Sequence, residues 1–365
     1  AGCGSIRFTS LEEELSRAAF YIVTVLTPVD ERKNPDLTCL VEATRTVARY
    51  LKRGDYVVYE STVYPGCTEE VCVPLLEKGS GLKLGADFKV GYSPERINPN
   101  DSEHTFSNTA KIVSANDGQA LDEVARVYAE VVAADLCRAS GIRVAEAAKM
   151  TENVQRSVNI ALMNELQRLF SRMGIDMGEV IDMASSKWNF VKYRPGLGGG
   201  HCIPVDPLYL VSAASKLGVE MPVTSSGCAV NDGMAAYVVR SLLGAMGSDG
   251  RGARALLMGV TYKENIDDIR NSRIAEMVGL LEREGMSVDV TDPHADPDKV
   301  YAMYGIRPVP ALRPPYDLIV VAVAHDEYRG LDDAYFRSIS RGAALLGDIR
   351  GLYKGRIKSL GYWSL

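Results

Sequence analysis

Short apolar runs alternate with a segment of helical periodicity in the first third of the chain. The runs rich in β-branched and aromatic residues cover 20–25, 56–60, 89–92 and 111–114, and the helical pattern covers 37–51. Such alternation is typical of βαβ units and favours a mostly parallel sheet. We therefore predict a Rossmann-like domain over residues 1–135.

Helical periodicity dominates the middle of the chain. Between Gly141 and Gly174 a single stripe recurs at the helical period, with members at 144, 147/148, 151, 154, 158, 161/162, 166 and 169. A glycine-dense loop follows, then a predicted helix from Pro207 to about Leu217 and a longer one over 224–246. We predict a helical domain over 136–247. Because the stripe is more than one domain edge needs to cover, we also predict that the long helix forms a homodimer interface.

The strand and helix alternation returns in the last third. Predicted strands cover 254–260, 287–291, 317–323 and 343–348, and a predicted helix covers 272–284. This pattern indicates a second Rossmann-like domain over 248–365. The predicted fold is thus α/β, with two parallel-sheet domains joined by a long-helix central domain, as the length of 365 residues allows.

Composition excludes several classes of protein. The longest apolar runs, 20–26 and 318–324, are strand-sized, so no membrane span is predicted. A formal charge of −6 with interspersed signs gives no field that would attract nucleic acid. The seven cysteines never form a CxxC pair, which argues against a disulfide framework and a zinc site. We expect a cytoplasmic protein without a bound metal.

The sharpest chemical signal is the segment from Gly198 to Pro207, which reads GGGHCIPVDP. Three successive glycines allow positive φ and close approach of a ligand, and Pro207 marks a helix start. A thiol at Cys202, just ahead of a helix N-terminus, would gain thiolate character and become a nucleophile. The alternatives are a buried apolar cysteine, a simple turn, and Asp206 as a helix N-cap.

A second group lies on the long predicted helix. Lys149 and Asn153 are four residues apart and share a face distinct from the apolar stripe. A lysine beside an amide is suited to stabilising an oxyanion. The alternative is that Glu146 and Lys149 form an ordinary exposed ion pair of small energetic consequence.

Two predicted strands of the first domain end in polar loops. Thr62 follows the strand at 56–60, and Glu95 follows the strand at 89–92. Ligands of open α/β sheets bind outside the carboxyl ends of the strands, and a carboxylate there can accept a proton. A simple turn and a solvated loop carboxylate are the alternatives.

The loop after the first strand of the last domain carries two cations, Lys263 and Arg270, ahead of a predicted helix. Cations at a helix N-terminus are suited to holding a pyrophosphate. Ordinary basic surface residues are the alternative.

Taken in order from Ile6 to Leu365, these segments resemble the UDP-glucose/GDP-mannose dehydrogenase family. The similarity is greatest to the branch acting on UDP-N-acetylhexosamines. The segments that carry it are Ser93 to Pro99 (SPERINP), Lys187 to Phe190 (KWNF), Gly199 to Pro207 (GGHCIPVDP), and Lys263 to Ser272 (KENIDDIRNS).

The resemblance implies an NAD-dependent, four-electron oxidation of the C6 alcohol of a UDP-N-acetylhexosamine to the uronic acid, which supplies surface-polysaccharide synthesis. It implies that Cys202 forms a thiohemiacetal and then a thioester, and that Lys149 and Asn153 stabilise the oxyanion. Asp206, Thr62 and Glu95 would handle protons and the hydrolytic water.

The resemblance also implies binding roles. Lys187 falls near a position where members of the family place a cation that reaches across the dimer. The expected substrate-binding residues are Glu95, Arg96, Lys149, Asn153, Lys187, Tyr193, Gly199 and Lys263. The expected cofactor-binding residues are Thr27, Pro28, Thr62, Glu95 and Arg270.

Two departures from the family pattern concern the cofactor domain. The family opens with a strand, a GxGxxG turn and an acidic residue for the ribose, and this sequence has none of these. We therefore expect a truncated N-terminal domain that lacks its first βαβ unit; the first five residues are unlike a signal peptide. In addition, the Val-Pro-Thr-Pro usual in this branch reads Val25-Leu26-Thr27-Pro28.

Two other functions stay open at this point. One is a non-catalytic UDP-sugar-binding or scaffold protein, in which the missing unit has abolished turnover. The other is a two-electron hydroxyacid dehydrogenase, which has a Rossmann domain and a catalytic Lys and Asn but needs no cysteine.

Overall fold

Two five-stranded sheets form the framework of the protein, in a computed structural model that describes residues 6–365. Ala1 to Ser5, including Cys3 and the residues compared with a signal peptide, lie outside the described residues. The chain divides into two compact units. One comprises Ala1–Asn153 with Leu208–Glu220, and the other Val154–Pro207 with Met221–Leu365.

The first sheet belongs to the N-terminal unit. Its strands are β1 (Phe20–Val23), β2 (Tyr56–Tyr59), β3 (Lys89–Tyr92), β4 (Lys111–Ala115) and β5 (Leu136–Arg138), in that spatial order. All neighbouring strands are parallel except β3 and β4, which are antiparallel. The prediction of a mostly parallel sheet is confirmed, although β5 had no clear signal in the sequence.

The second sheet belongs to the other unit and is parallel throughout. Its strands are β6 (Arg254–Met258), β7 (Ser287–Thr291), β8 (Tyr316–Val321), β9 (Ser340–Asp348) and β10 (Gly361–Ser364), in the order β10-β9-β8-β6-β7. Leu257 and Val320 pack on one face, and Leu256 and Ile319 on the other. Burial on both faces explains the unbroken apolar runs of these strands.

Helices connect and cover the strands. They are α1 (Thr38–Tyr50), α2 (Val73–Ser80), α3 (Gly118–Ala129), α4 (Ile142–Arg172), α5 (Met177–Ala184), α6 (Cys202–Lys216), α7 (Pro222–Asp232), α8 (Met234–Met246), α9 (Arg273–Arg283), α10 (Pro297–Tyr304), α11 (Asp326–Arg329) and α12 (Asp333–Ile339). A 3₁₀ segment covers Glu12–Arg17, and a π-helical turn covers Thr68–Cys72. None of the helices in residues 6–365 is long and apolar enough to cross a membrane.

Two predicted helix boundaries are wrong. Helix α6 begins at Cys202, so Pro204 lies in its first turn, where no backbone donor is needed, and Pro207 lies inside the helix. Asp206 therefore lies inside the helix, buried, and is not its N-cap. The single helix predicted over 224–246 is divided at Gly233 into α7 and α8.

Helix α4 has a polar buried face. The buried polar residues recur at helical spacing and are Glu146, Lys149, Asn153, Ser157, Asn164 and Gln167. By contrast, members of the predicted apolar stripe stay accessible: Leu162 is 50% and Leu169 52% exposed. The chemistry-bearing face of α4 is thus the one that its own chain covers.

Candidate active site

The carboxyl ends of β1 and β2 are tied together by side-chain hydrogen bonds. The Thr27 hydroxyl donates to the carbonyl of Thr62 at 2.7 Å, and the Ser61 hydroxyl donates to the carbonyl of Val25 at 2.6 Å. Pro28 follows Thr27, and its carbonyl accepts from the Tyr209 hydroxyl at 2.8 Å. The predicted residues Thr27, Pro28 and Thr62 are therefore brought to one edge of the sheet.

The loop after β3 carries Glu95 and Arg96. Arg96 forms an ion pair with Glu152 of α4 at 2.7 Å and donates to the carbonyl of Ala110 at 2.6 Å. Glu95 is half-buried, and its carboxylate accepts from the backbone N–H of Ile97. Arg96 thereby fixes the Glu95 loop to α4 next to Asn153.

Glu146, Lys149 and Asn153 are all buried on one side of α4. Glu146 accepts hydrogen bonds from the backbone N–H groups of Gly66 (2.5 Å) and Thr68 (3.0 Å). Burial raises its pKa, and these hydrogen bonds offset that effect only in part. The alternative of an exposed Glu146–Lys149 ion pair is therefore wrong.

Three glycines shape the loop ahead of Cys202. A Cβ on Gly200 would lie 2.7 Å from the Tyr262 ring, and one on Gly199 would lie 3.0 Å from Cβ of Tyr262. Gly200 also has φ of +89°, and its carbonyl accepts from the Asn271 side chain at 3.0 Å. The glycine run is required by close packing against Tyr262 and is more than a flexible turn.

Cys202 is the first residue of α6 and is half-buried. The free N–H groups of a helix N-terminus carry partial positive charge. The pKa of Arg270 is raised first by its hydrogen bonds to Asp268, and the Cys202 thiolate adds to that effect. Arg270 thus lies within electrostatic reach of the sulfur. Asp206 follows one helical turn later and is buried.

A cavity of about 250 Å³ lies at the carboxyl ends of β6, β8 and β9. Strand order reverses between β6 and β8, the position at which open parallel sheets bind ligands. Gly199 and Lys263 both line this cavity, together with Arg350, which was missed because it follows a strand without any recognisable motif.

Lys187 and Tyr193 are among the predicted binding residues that do not line this cavity. Lys187 is exposed beyond the end of α5, beside Trp188, which is 92% exposed. Tyr193 is half-buried and packs against an apolar cluster that includes Met177 and Ile181. Nothing in these contacts assigns either residue a ligand.

The glycine-rich loop has a clamp that sequence reasoning missed. The Asn164 side chain accepts from the Gly196 N–H at 2.9 Å and donates to the Gly196 carbonyl at 3.1 Å. It also donates to Asn231, which in turn donates to the Ser157 carbonyl. The helical spacing of polar residues on α4 was the available signal.

Among residues 6–365, the side chains of His294, His325 and Glu327 are close enough to hold a metal ion. His325 Nδ1 accepts from the Asn265 N–H at 3.0 Å, and Nε2 lies 3.2 Å from Asp292. Both ring nitrogens of His325 are already engaged, so this group carries no metal assignment.

The edge formed by β1 and β2 fits the reactive end of a dinucleotide, since it presents buried or half-buried hydroxyl groups where ligands of such sheets bind. Thr27 and Thr62 are the residues that would face it. A GxGxxG turn follows none of β1, β2 and β3 in the described residues.

Comparison with known proteins gives three consecutive family matches. The NAD binding domain of the UDP-glucose/GDP-mannose dehydrogenase family matches residues 1–132, its central domain 143–233, and its UDP binding domain 256–355. NAD is accordingly the cofactor.

Individual relatives agree with these matches. The chain is 46% identical to the UDP-N-acetyl-D-glucosamine 6-dehydrogenase of Pseudomonas aeruginosa, over 95% of this chain and 83% of that protein. It is 43% identical to protein CapL of Staphylococcus aureus, over 95% and 83%. The solved UDP-D-ManNAc dehydrogenase of Pyrococcus horikoshii superposes with a TM-score of 0.87 at 28% identity, over 98% and 83%. The chain belongs to the UDP-glucose/GDP-mannose dehydrogenase family and is an NAD-dependent nucleotide-sugar dehydrogenase.

Proposed function

We propose that this enzyme oxidises the C6 alcohol of UDP-N-acetyl-D-glucosamine, or of an epimer of it, to the uronic acid through a covalent bond to Cys202. The observation that carries the proposal is the position of Cys202 at the N-terminus of α6, behind a glycine turn packed on Tyr262. Relatives at 46% and 45% identity bear the name UDP-N-acetyl-D-glucosamine 6-dehydrogenase, which supports this substrate.

The first stage converts the alcohol to a thioester. NAD, when bound, accepts a hydride from C6 in each of the two oxidation steps. Between them, the Cys202 thiolate adds to the aldehyde carbon, and the carbonyl oxygen becomes the oxyanion of a thiohemiacetal. Lys149 and Asn153, buried on one face of α4, stabilise that oxyanion by charge and by hydrogen bonding.

The second stage releases the product. A water oxygen adds to the thioester carbon, the carbon–sulfur bond breaks, and the Cys202 thiolate leaves. Glu95 accepts the proton of the water. Thr62 and Asp206 help to hold the water and to transfer protons. The half-buried position of Glu95 and its anchored loop support this role.

The nucleotide is proposed to occupy the cavity at the carboxyl ends of β6, β8 and β9. Lys263 and Arg350 supply positive charge for the two phosphates, and Gly199 allows close approach to the backbone. We propose a second role for Arg270 in addition to the expected one. Its ion pair with Asp268 and its reach to Cys202 favour a role in stabilising the thiolate beside the proposed contact to the cofactor phosphates.

We also propose a homodimer built on the exposed side of α4. Leu162, Leu169 and Met173 leave an apolar surface along this helix that its own chain does not cover. The same proposal includes a division into domains 1–135, 136–247 and 248–365. It also includes a cytoplasmic location, where NAD and UDP-sugars are made. A role in surface-polysaccharide precursor synthesis, which the resemblance to the UDP-N-acetylhexosamine branch implies, belongs to it as well.

The test is NADH formation from UDP-N-acetylglucosamine, its galacto and manno epimers, and UDP-glucose, with light scattering on the same preparation. We expect two NADH per sugar, the greatest kcat/KM with an N-acetylated sugar, and a dimer. One NADH per sugar with release of aldehyde would refute the covalent route, and activity confined to UDP-glucose would refute the substrate class.

A further inference from the structure

A buried polar cluster lies beneath the two loops that carry Thr62 and Glu95. We define it as the Lys111 cluster, which comprises Lys111, Glu60 and Tyr128. Lys111 is the first residue of β4 and is only 4% exposed; Glu60 follows β2 and is 9% exposed. Neither residue carried a signal in the sequence analysis beyond the strand ends that they mark.

Lys111 bonds to both loops at once. Its Nζ lies 3.5 Å from the Glu60 carboxylate, two residues before Thr62. It also donates to the carbonyl of Pro94 at 3.2 Å, one residue before Glu95. The Tyr128 hydroxyl donates a short hydrogen bond to the same Glu60 oxygen. A single ammonium group therefore joins the backbone of one loop to the side chain at the root of the other.

The surroundings of Lys111 favour a fixed position. The ammonium group lies 5.0 Å from the ring centroids of both Phe106 and Tyr128. Burial lowers the Lys111 pKa, while Glu60 and then Glu95 counteract that effect, so the group senses the Glu95 carboxylate. Removal of Lys111 would leave the buried Glu60 carboxylate without its cation, which is strongly unfavourable.

We propose that Lys111 is a positioning residue for the reaction: it holds Thr62 and Glu95 at the spacing that water addition to the Cys202 thioester requires. The inference rests on the proposed function. Lys111 itself touches neither substrate nor cofactor, and it acts through Glu60 and Pro94. Misplacing a reacting group by about 1 Å lowers a rate by up to roughly 100-fold, which sets the scale of the effect.

The experiment compares Lys111→Met with Lys89→Met. Lys89 opens β3 at the opposite end of the sheet, where its Nζ bonds to Asp117 at 2.7 Å and to the Gly85 carbonyl at 2.8 Å. It is likewise the first residue of a strand and bonds to one carboxylate and one backbone carbonyl, but it contacts neither loop. Both variants are expected to lower the melting temperature, and Lys111→Arg should restore most of what Lys111→Met loses.

We expect Lys111→Met to lower kcat by roughly 10- to 100-fold while the Kd for the UDP-sugar, from calorimetry, changes by less than about threefold. Rapid quench and intact mass spectrometry should show a sugar adduct on Cys202 accumulating in Lys111→Met but not in Lys89→Met. Equal kcat losses in the two variants, or no accumulated adduct, would overturn the inference.

If Lys111→Met does not fold, Tyr128→Phe serves as the second variant. It removes one hydrogen bond to Glu60 and leaves side-chain volume almost unchanged. A measurable rise in the adduct with unchanged substrate affinity would support the inference, and wild-type adduct levels would refute it. Failure of the wild-type chain to oxidise any UDP-N-acetylhexosamine would instead refute the proposed function.

Discussion

Two buried carboxylates, one in each unit, perform the same structural task under opposite electrostatic conditions. Glu146 accepts from the N–H groups of Gly66 and Thr68 and so fixes the loop that follows Thr62. Asp292 accepts from the N–H groups of Val260 and Thr261, at 2.6 and 3.0 Å, and so fixes the loop that leads to Lys263.

The difference lies in the additional partners of Asp292: its other oxygen accepts from the N–H groups of His294 and Ala295, and His325 Nε2 lies 3.2 Å from the carboxylate. Burial opposes ionisation of both carboxylates, and for Glu146 it prevails, so the pKa of Glu146 is raised. For Asp292, the hydrogen bond from His325 and the two backbone donors outweigh burial, so its pKa is held well below the ordinary range. The larger set of donors around Asp292, including His325, therefore decides the direction of its pKa shift against burial.

The largest expected effect, on turnover, comes from removing the proposed nucleophile, Cys202. Cys202→Ser should lower turnover by at least about a thousandfold, or about 4 kcal/mol of barrier, because an ester resists hydrolysis more than a thioester does. UDP-sugar affinity should change little, since the phosphates are assigned to Lys263. Absorbance of NADH and calorimetry measure the two quantities. A fully active Cys202→Ser enzyme would end the covalent hypothesis.

The loop ahead of Cys202 is held by packing on Tyr262, whereas the loops bonded to Glu146 and Asp292 are held by hydrogen bonds to a carboxylate. Gly200→Ala places a methyl group 2.7 Å from the Tyr262 ring at a φ of +89°, so the Cys202 loop must move. We expect kcat to fall by roughly 10- to 100-fold. Gly196→Ala is the matched control, because a Cβ there meets nothing within 4 Å. Similar losses in both variants would show that the Tyr262 contact is irrelevant.

The Asp292 side of the comparison is tested by Asp292→Asn. The variant should lose about 3 kcal/mol of unfolding free energy at pH 7, because a buried, hydrogen-bonded ion is replaced by an amide. Since the folded pKa is depressed, this contribution is present above the ordinary value of 3.8 and is lost as the pH falls toward the folded value. Urea unfolding at several pH values measures it. A stability difference that grows on acidification would contradict the assignment.

Substitution of Glu146 should give the smallest change in the free energy of unfolding, and its pH dependence should be opposite to that of Asp292. Because the folded pKa of Glu146 is raised, its stabilising contribution is present below the ordinary value of 4.5 and is lost as the pH rises through the folded value. Glu146→Gln, which carries no charge, should lack that decline and differ from wild type by only about 1 kcal/mol at pH 7. An equally steep decline in the variant would assign the titration to another group.

The sequence was sufficient for eight of the ten strands and for the long helix, since their periodicity is strong and local; the short strands β5 and β10 were missed. The π-helical turn at Thr68–Cys72 and the early start of α6 were missed, because both depend on how the chain packs. Among the proposed site residues, sequence motifs pointed to Cys202, Lys263 and Gly199. Lys111 and Asn164 were missed because their role arises from partners 17 to 67 residues away.

Packing of the glycine turn on Tyr262 restricts how these positions can change during evolution. A side chain at position 200 and a six-membered ring at position 262 cannot occupy the same volume, so either change alone is unfavourable. Because a φ of +89° also disfavours any side chain at position 200, a smaller residue at position 262 would relieve only part of the strain, and position 200 should remain glycine. One contact therefore constrains both positions, although 62 residues separate them in the chain.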